Sequence, residues 1–279
     1  SVNVLLNGIS LVTGDQVRGL KAEFRAEGDH DQLTVRLRLA EEGTFVDAQS
    51  GSIGELIQAR QRDVIPAITT LDDLAGNLIH QVNRVVSQGQ GETAYRQLRG
   101  TTEVEDPAAS LSNRFAALPS APKHGSFEVH LTQQSTGQRN ATRIPVDLDG
   151  LGGPDTSLND LAAQLDGVAN LNASVDARGR LVLETSSDDF RVSFAEDSAG
   201  VLAALGVNTL FTGRNAAGIG VNAQMTADPT RLPTAADHVP GGNATALAVA
   251  NLRDRALPEV GGPSVTEQWS AHVEDYAVR

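Results

Sequence analysis

The chain has 279 residues, enough for one large domain or two ordinary ones, and 40% of them are hydrophobic, which excludes a disordered polypeptide. Its 22 Lys and Arg stand against 35 Asp and Glu, and the net charge of −13 argues against binding to nucleic acid or to an anionic membrane surface. There is no cysteine, so disulfides, thiolate metal sites and cysteine nucleophiles are excluded, and no stretch approaches the ~20 apolar residues of a transmembrane helix.

Residues 1–47 are predicted to form β-strands. Asn7-Gly8 lies between two apolar runs and is a strong hairpin signal, because both residue types adopt a positive φ readily. From Leu33 to Leu39, apolar residues alternate strictly with polar ones, which is the pattern of a half-buried strand. A less distinct strand covers residues 21–26.

The hydrophobic period changes after residue 50. Successive apolar residues are spaced by 7, 4, 3, 4, 3, 4 and 3 positions, which predicts a long helix with a heptad stripe of the coiled-coil type. Pro66 has no N–H, so we expect it to begin a new helical segment or to kink the helix, with Asp63 as a cap. The stripe consists of Ile57, Val64, Ile68, Leu71, Ala75, Leu78, Val82 and Val85.

A second set of elements follows a connector over residues 100–125, which is rich in Pro and Gly and carries one short helix around 111–118. Alternating strands, turns at Thr136-Gly137 and at 176–179, and a helix with a Ser157–Asp160 capping box predict the order ββαβββα over residues 125–212. A helix over 198–205, stopped by Gly206, ends this unit. Its predicted core contains Phe127, Ile144, Leu161, Leu165, Val175, Leu183, Val192 and Leu202.

The last part of the chain is predicted to be mainly helical. A short strand around 219–221 precedes a helix from Asn243, its cap, to about Leu257. A Ser264–Glu267 capping box opens a final helix over 264–277. Further candidates for helix packing or an interface are Leu247, Leu252, Trp269, Val273 and Tyr276.

Together these elements predict an α+β, multi-domain fold. Long helices lie near both ends of the chain, with a β-rich unit between them. We therefore expect a discontinuous helical and β domain made of residues 1–120 and 213–279, with a smaller α+β domain inserted over 121–212.

The sequence shows no catalytic constellation. Asp147-Leu-Asp149-Gly150 fails the EF-hand positions and is better explained as a solvated hairpin end. None of the six histidines has zincin spacing, and the neighbouring carboxylates of Asp72-Asp73 and of Asp188-Asp189 point in different directions. We therefore expect no enzyme activity, no cofactor and no metal site.

Four segments resemble the FlgK family of flagellar hook-associated proteins, which form the junction between hook and filament. Ser52–Pro66, continued by Leu71–Ala75 and Gln81-Val82-Asn83, resembles the family's G-x-L-x-x-L-x-x-x-R-D-x-x-x-P helix. Gly200–Gly213 is similar to its L-x-x-L-G-x-N-x-F-F-x-G stretch, with Leu210 where a first Phe is commoner. Gly242–Ala248 and Ser264–Val278 resemble its last helices. Residues 125–195 fit only as the family's variable inserted domain.

The resemblance implies a structural, non-enzymatic role in the extracellular bacterial flagellum, reached by export without a cleaved signal peptide. It implies as partners the hook protein, the next hook-associated protein, other copies of the chain and an export chaperone, the last through a C-terminal segment absent here. It implies no nucleic acid and no membrane contact. Because the chain starts at Ser1 and its one methionine is Met225, we expect a central fragment without the terminal helices.

Two other functions stay open at this point. A secreted surface adhesin or ligand-binding module would show an exposed aromatic or polar cluster on residues 125–212. A hydrolase with an unrecognised site would show convergent carboxylates with perturbed pKa values in a deep pocket.

Overall fold

The computed structural model describes residues 3–27, 32–48, 50–236, 241–256 and 262–278. Several small antiparallel sheets and a few helices make up an α+β fold, which confirms the predicted class. In the described ranges, no helix has both the length and the apolar character needed to cross a membrane. The chain divides into two compact units, residues 1–71 and residues 72–279.

The strands are short, as expected for sheets built from hairpins. In chain order they are β1 Asn3–Leu6, β2 Ile9–Thr13, β3 Gln16–Val17, β4 Leu20–Glu27, β5 Gln32–Leu39, β6 Phe45–Val46, β7 Gln97–Arg99, β8 Gly125–Gln133, β9 Arg139–Val146, β10 Leu171–Val175, β11 Leu181–Thr185, β12 Phe190–Ala195, β13 Phe211–Thr212 and β14 Gly220–Val221.

One α-helix is much longer than the others. The α-helices are α1 Gly51–Ala59, α2 Ile65–Val86, α3 Leu158–Asp166, α4 Val201–Ala204, α5 Ala223–Ala227, α6 Ala244–Asn251 and α7 Val265–Val278. A π-helical turn, Arg60–Val64, joins α1 to α2, and 3₁₀ turns cover Arg114–Ala116 and Pro229–Arg231.

The first unit contains two three-stranded antiparallel sheets, β1-β2-β3 and β4-β5-β6. As predicted, Asn7 and Gly8 make the first turn, with φ of 48° and 79°, and Leu6 pairs with Ile9 across it. Where side chains of β5 are described, Leu39 is buried, Leu37 is half-buried and Arg36 is exposed, although Arg38 is half-buried as well. This confirms the predicted half-buried strand.

Pro66 does not interrupt the helical conformation, which continues through α1, the π-helical turn and α2 from residue 51 to residue 86. The π-helical turn immediately before α2 is the local response to the proline, because Pro66 cannot donate a hydrogen bond and its ring crowds the preceding turn. Asp63 lies inside this turn and accepts hydrogen bonds from Nε and Nη2 of Arg62, at 2.9 and 3.0 Å. The new helical segment expected at Pro66 is therefore present as a change from the π-helical turn to the α-helix α2.

The second unit contains the predicted order ββαβββα, from β8 to α4. The strands form two sheets, β12-β8-β9 and β10-β11-β7. Ser157 and Asp160 make the predicted reciprocal capping box at the start of α3. Asp176 closes the β10–β11 turn by accepting from the backbone N–H groups of Arg178 and Arg180, at 2.9 and 3.1 Å.

The largest hydrophobic core lies between these sheets and α3. It includes the predicted core residues, with Val175 only partly buried. The same core also takes in Tyr95, Leu98 and Leu111, which precede the inserted segment in sequence, and Met225, which follows it. The packed core therefore extends beyond both predicted boundaries of the insert, residues 121 and 212. The division into a discontinuous domain and an insert remains a prediction.

Two predicted helices differ in extent or capping, and a third agrees with its prediction. The helix expected over 198–205 is only the four-residue α4, because Gly200, at a φ of 72°, is not helical. The α6 helix ends at Asn251, before the predicted limit at Leu257, which lies outside the described residues, and the Asn243 side chain makes no cap hydrogen bond. The α7 helix agrees with prediction: Ser264 N donates to Glu267 and Glu267 N donates to Ser264, at 2.8 and 3.2 Å.

Candidate interaction surface

The second half of the heptad stripe is packed inside the second unit. Val82 is 4% exposed and forms a small apolar cluster with Val86 and with Leu252, which follows α6. The partly buried residues around this cluster are Leu78, Val85, Leu210, Phe211, Val249 and Val265. The structure therefore brings together four of the predicted packing residues, Leu78, Val82, Val85 and Leu252.

Hydrogen bonds fix the same half of α2 against a distant segment. The buried Asn83 side chain donates from Nδ2 to the carbonyl oxygen of Phe211 and accepts from the Phe211 N–H at its Oδ1, both at 2.9 Å. At the first residue of the second unit, Oδ1 of the buried Asp72 accepts from the Ala216 N–H at 3.0 Å. These polar pairs supply directional contacts that the apolar cluster alone lacks.

A third anchor was not foreseen from the sequence. Asn208 has a φ of 53° and donates from Nδ2 to the carbonyl oxygens of Ser87 and Gly89, at 3.0 and 2.8 Å, which holds the end of α2. The Tyr95 hydroxyl donates to Asn208 Oδ1 at 2.9 Å. Asn208 is the Asn of the L-x-x-L-G-x-N-x-F-F-x-G stretch, but that pattern does not name its partner. The physical signal was the residue type, because Asn tolerates a positive φ better than most residues.

Three residues in the first half of the stripe are exposed. Val64 is 48% exposed, Ile68 42% and Leu71 38%, although all three follow the same heptad spacing as the buried residues. Burying one such side chain stabilises a protein by roughly 1.5–3 kcal/mol. An apolar row left in water at this spacing is typical of a helix that packs against another chain or segment. We call Val64, Ile68 and Leu71 the exposed stripe.

The first unit also contains an apolar groove, between β5 and α1. Its walls are Val35 and Leu37 on the strand and Ile53, Leu56 and Ile57 on the helix, and Arg60 and Gln61 also line it. The groove has a volume of about 230 Å³ and is open to solvent. The structure thus places Ile57, another predicted packing residue, at the groove and not in the core.

The remaining predicted packing residues lie on the last two helices. Leu247 on α6 and Trp269 and Val273 on α7 are all exposed, so they take no part in the apolar cluster around Val82. The side chain of Tyr276 lies outside the described residues. The α7 helix reaches the cluster through its first residue, Val265.

Three of the carboxylates considered for catalysis or metal binding have structural partners. Asp72 binds the backbone at residue 216, as described above, and Asp189 accepts from Ser135 and Gln133, whose hydrogen bonds lower the pKa of Asp189 below its usual value. Asp149 accepts from the Leu151 N–H at 2.8 Å, as a turn residue does. This agrees with the interpretation of residues 147–155 as a hairpin end.

One group of potential metal ligands occurs among the described residues. Ligand atoms of His124, Asp147 and Asp149 lie within 4.8 Å of one another, and all three side chains are exposed. His124 Nδ1 already lies 3.1 Å from Asp147 Oδ1, as in an ordinary surface ion pair. Nothing else at this position points to a bound ion.

The comparisons with known proteins agree with the resemblance carried by residues 52–83. Residues 1–97 match the family model of the flagellar hook-associated protein FlgK helical domain. The matched region contains the groove, the exposed stripe and the buried half of α2. No curated protein matches the chain.

Proposed function

We propose that this chain, a FlgK-family flagellar hook-associated protein, forms part of the junction between the hook and the filament of the bacterial flagellum. The family is one of structural flagellar proteins. The observation that carries the proposal is the coincidence of the family match, residues 1–97, with the heptad stripe of α2, half of which is exposed. A subunit of an axial structure needs such a surface, because it must bury apolar area against its neighbours.

The exposed stripe and the groove are the surfaces that we assign to assembly. The proposed partners are the hook protein, the next hook-associated protein along the axis, other copies of the chain and an export chaperone. Helix pairs joined by heptad seams require several consecutive heptads to offset the entropy lost on ordering. Val64, Ile68 and Leu71 supply about one heptad, so a stable contact needs further apolar residues from the groove or from the partner.

In the proposed domain arrangement, the two parts of the chain have different roles. Residues 1–120 and 213–279 would form the axial domain and residues 121–212 the outer inserted domain. Contacts of Val82 and Val86 with Leu252 support this proposal, because they join the matched segment to the last part of the chain. We further propose that the protein is extracellular, exported without a cleaved signal peptide, and has no catalytic activity.

The proposed function is tested in a flagellated strain whose own copy of the full-length gene has been deleted. Complementation with the full-length wild-type gene should restore filaments and swimming. Full-length Ile68→Asp should fold and be exported but restore few filaments, because a charge in an apolar interface is costly to desolvate. Thr70→Asp is the matched control, since Thr70 is an exposed polar residue two positions away on the same helix.

Electron microscopy of detached flagella, with antibody labelling of the protein, decides the outcome. Label at the boundary of hook and filament supports the junction. Label along the filament or on the cell surface, with normal filaments in the deletion strain, would contradict it and favour an adhesin.

A further inference from the structure

A polar cleft in the second unit gathers three arginine side chains from separate elements. Arg99 ends β7, Arg180 precedes β11, and Arg231 ends the 3₁₀ turn Pro229–Arg231. The cleft has a volume of about 630 Å³, and its walls also include Gln97 and Gln224. Such a concentration of guanidinium groups is unexpected in a chain with a net charge of −13.

The first pair of arginines shares one carboxylate. Arg180 donates from Nε and Nη2 to Asp176 Oδ2, at 3.0 and 2.8 Å, and these bonds lower the pKa of Asp176 to about 2. Asp176 Oδ1 is occupied by the turn N–H groups of residues 178 and 180. Arg99 reaches the same carboxylate only at 3.6 Å, from its Nε. Among the described residues, the Arg99 guanidinium has no other partner.

Arg231 is held in place while its outer nitrogens stay available. Its Nε donates to Asp228 Oδ2 at 2.9 Å, and the guanidinium carbon lies 5.4 Å from the centroid of the Tyr95 ring, in a cation–π contact. Tyr95 is itself fixed by its hydrogen bond to Asn208. Within the described part of the chain, the two Nη groups of Arg231 donate to no acceptor.

Within the described ranges, the three guanidinium groups form ion pairs with two carboxylates, Asp176 and Asp228, so the cleft retains positive charge. A guanidinium binds a carboxylate through paired, charge-assisted hydrogen bonds, which makes Arg the usual residue for recognising such groups. The arginines come from three elements around a cleft whose size suits a short peptide better than a single ion. We propose that this cleft binds a carboxylate-rich segment of a partner protein.

This proposal goes beyond the proposed junction function. Of the residues that line the cleft, only Gln97 lies within the segment that matches the family model. The site would therefore give the second unit a recognition function separate from the exposed stripe of α2. Its affinity should fall as salt is raised, because the attraction is between charges at or near the surface.

The test is fluorescence anisotropy of fluorescein-labelled hexaglutamate added to the full chain at low salt, with labelled hexaglutamine as the neutral probe. Hexaglutamate should bind and hexaglutamine should not. Arg99→Gln should weaken binding by about tenfold or more, because it removes a charge-assisted contact. Arg178→Gln is the control: it removes the same charge from the β10–β11 turn of the sheet to which β7 belongs, but Arg178 is exposed and lies outside the cleft lining. It should change the affinity less than about twofold.

A third variant tests whether removing a negative charge from the cleft strengthens binding of hexaglutamate. In Asp176→Asn the amide oxygen can still accept from the turn N–H groups, but the charge that competes for Arg99 and Arg180 is lost. Binding of hexaglutamate should therefore tighten, which a merely structural role for Asp176 does not predict.

Three results would overturn the proposal: no binding of hexaglutamate, equal weakening by Arg99→Gln and Arg178→Gln, or displacement of the peptide by inorganic phosphate at concentrations comparable to that of the peptide. The second result would mean that only net charge matters. The third would mean a small-anion site.

Discussion

Asn83 provides the sharpest test of how the long helix is attached to the second unit. Its side chain satisfies both the N–H and the C=O of Phe211, a residue 128 positions away in sequence. Asn83→Ala removes both hydrogen bonds and leaves two partly buried backbone groups without their partner. A net hydrogen bond contributes about 1 kcal/mol and an unsatisfied buried group costs about 1–3 kcal/mol, so the free energy of unfolding should fall by about 2–4 kcal/mol.

The matched control is Asn77→Ala, six positions earlier on the same helix. Asn77 is half-buried, and its side chain has no hydrogen-bond partner among the described residues. The two substitutions are chemically identical and change helix propensity by the same amount. The control should therefore change the free energy of unfolding by less than about 0.5 kcal/mol.

Urea unfolding measures this difference through the fluorescence of Trp269, the one tryptophan of the chain. Trp269 lies on α7, whose first residue packs on the apolar cluster beside Asn83. With an m-value of about 2 kcal/mol per M, the midpoint for Asn83→Ala should shift down by about 1–2 M. If both variants unfold at the same urea concentration, the pair of hydrogen bonds does not anchor α2.

Three further predictions concern burial, capping and assembly. Leu78→Asp should lower the free energy of unfolding by about 2–4 kcal/mol, because Leu78 packs on the apolar cluster. Leu71→Asp should lower it by less than about 1 kcal/mol, because Leu71 is exposed. Thermal unfolding of the two variants measures the difference. Asp197→Ala should cost about 2–3 kcal/mol, because the Asp197 carboxylate accepts from the N–H groups of Gly200, Val201 and Leu202. Burial raises the pKa of Asp197, so the folded state holds this proton to a higher pH than the unfolded state does. The part of the stability that is linked to this proton is therefore fully present below about pH 4 and is lost as pH rises through the raised pKa, while the hydrogen bonds to the carboxylate remain; urea midpoints of Asp197→Asn should lack this step. Sedimentation of the 279-residue chain at micromolar concentration should show a monomer, and a stable closed oligomer would contradict this.

The features that could be predicted from the sequence are those whose cause is local. A turn at Asn7-Gly8 depends on two residues that accept a positive φ, and the capping boxes of α3 and α7 depend on residues three positions apart. The order of elements over residues 125–212 follows from alternation and turn residues in the same way. Each of these signals lies within a few positions of the structure that it specifies.

Contacts between distant segments have no such local signal in the sequence. Asn83, Asn208 and Phe211 lie in segments that resemble the family, but no local pattern links Asn83 to Phe211 or Tyr95 to Asn208. The four-residue α4 is an intermediate case: its length depends on Gly200 and on the cap from Asp197, and apolar periodicity shows neither. The arginine cleft, too, exists only because β7, β11 and the 3₁₀ turn at 229–231 come together in the fold.

The heptad stripe shows where periodicity stops being informative. Its spacing is the same on both sides of Leu71, yet Val64 and Ile68 are exposed while Val82 is buried. A heptad pattern requires only that one face of a helix meets an apolar surface, and that surface can belong to the same chain or to another. The second half of α2 meets Leu252 and Val265 of its own chain, which accounts for the pattern there. The first half has the same pattern without equivalent burial. We therefore assign its apolar residues to a contact that forms in the assembled flagellum. The variant Ile68→Asp tests that assignment directly.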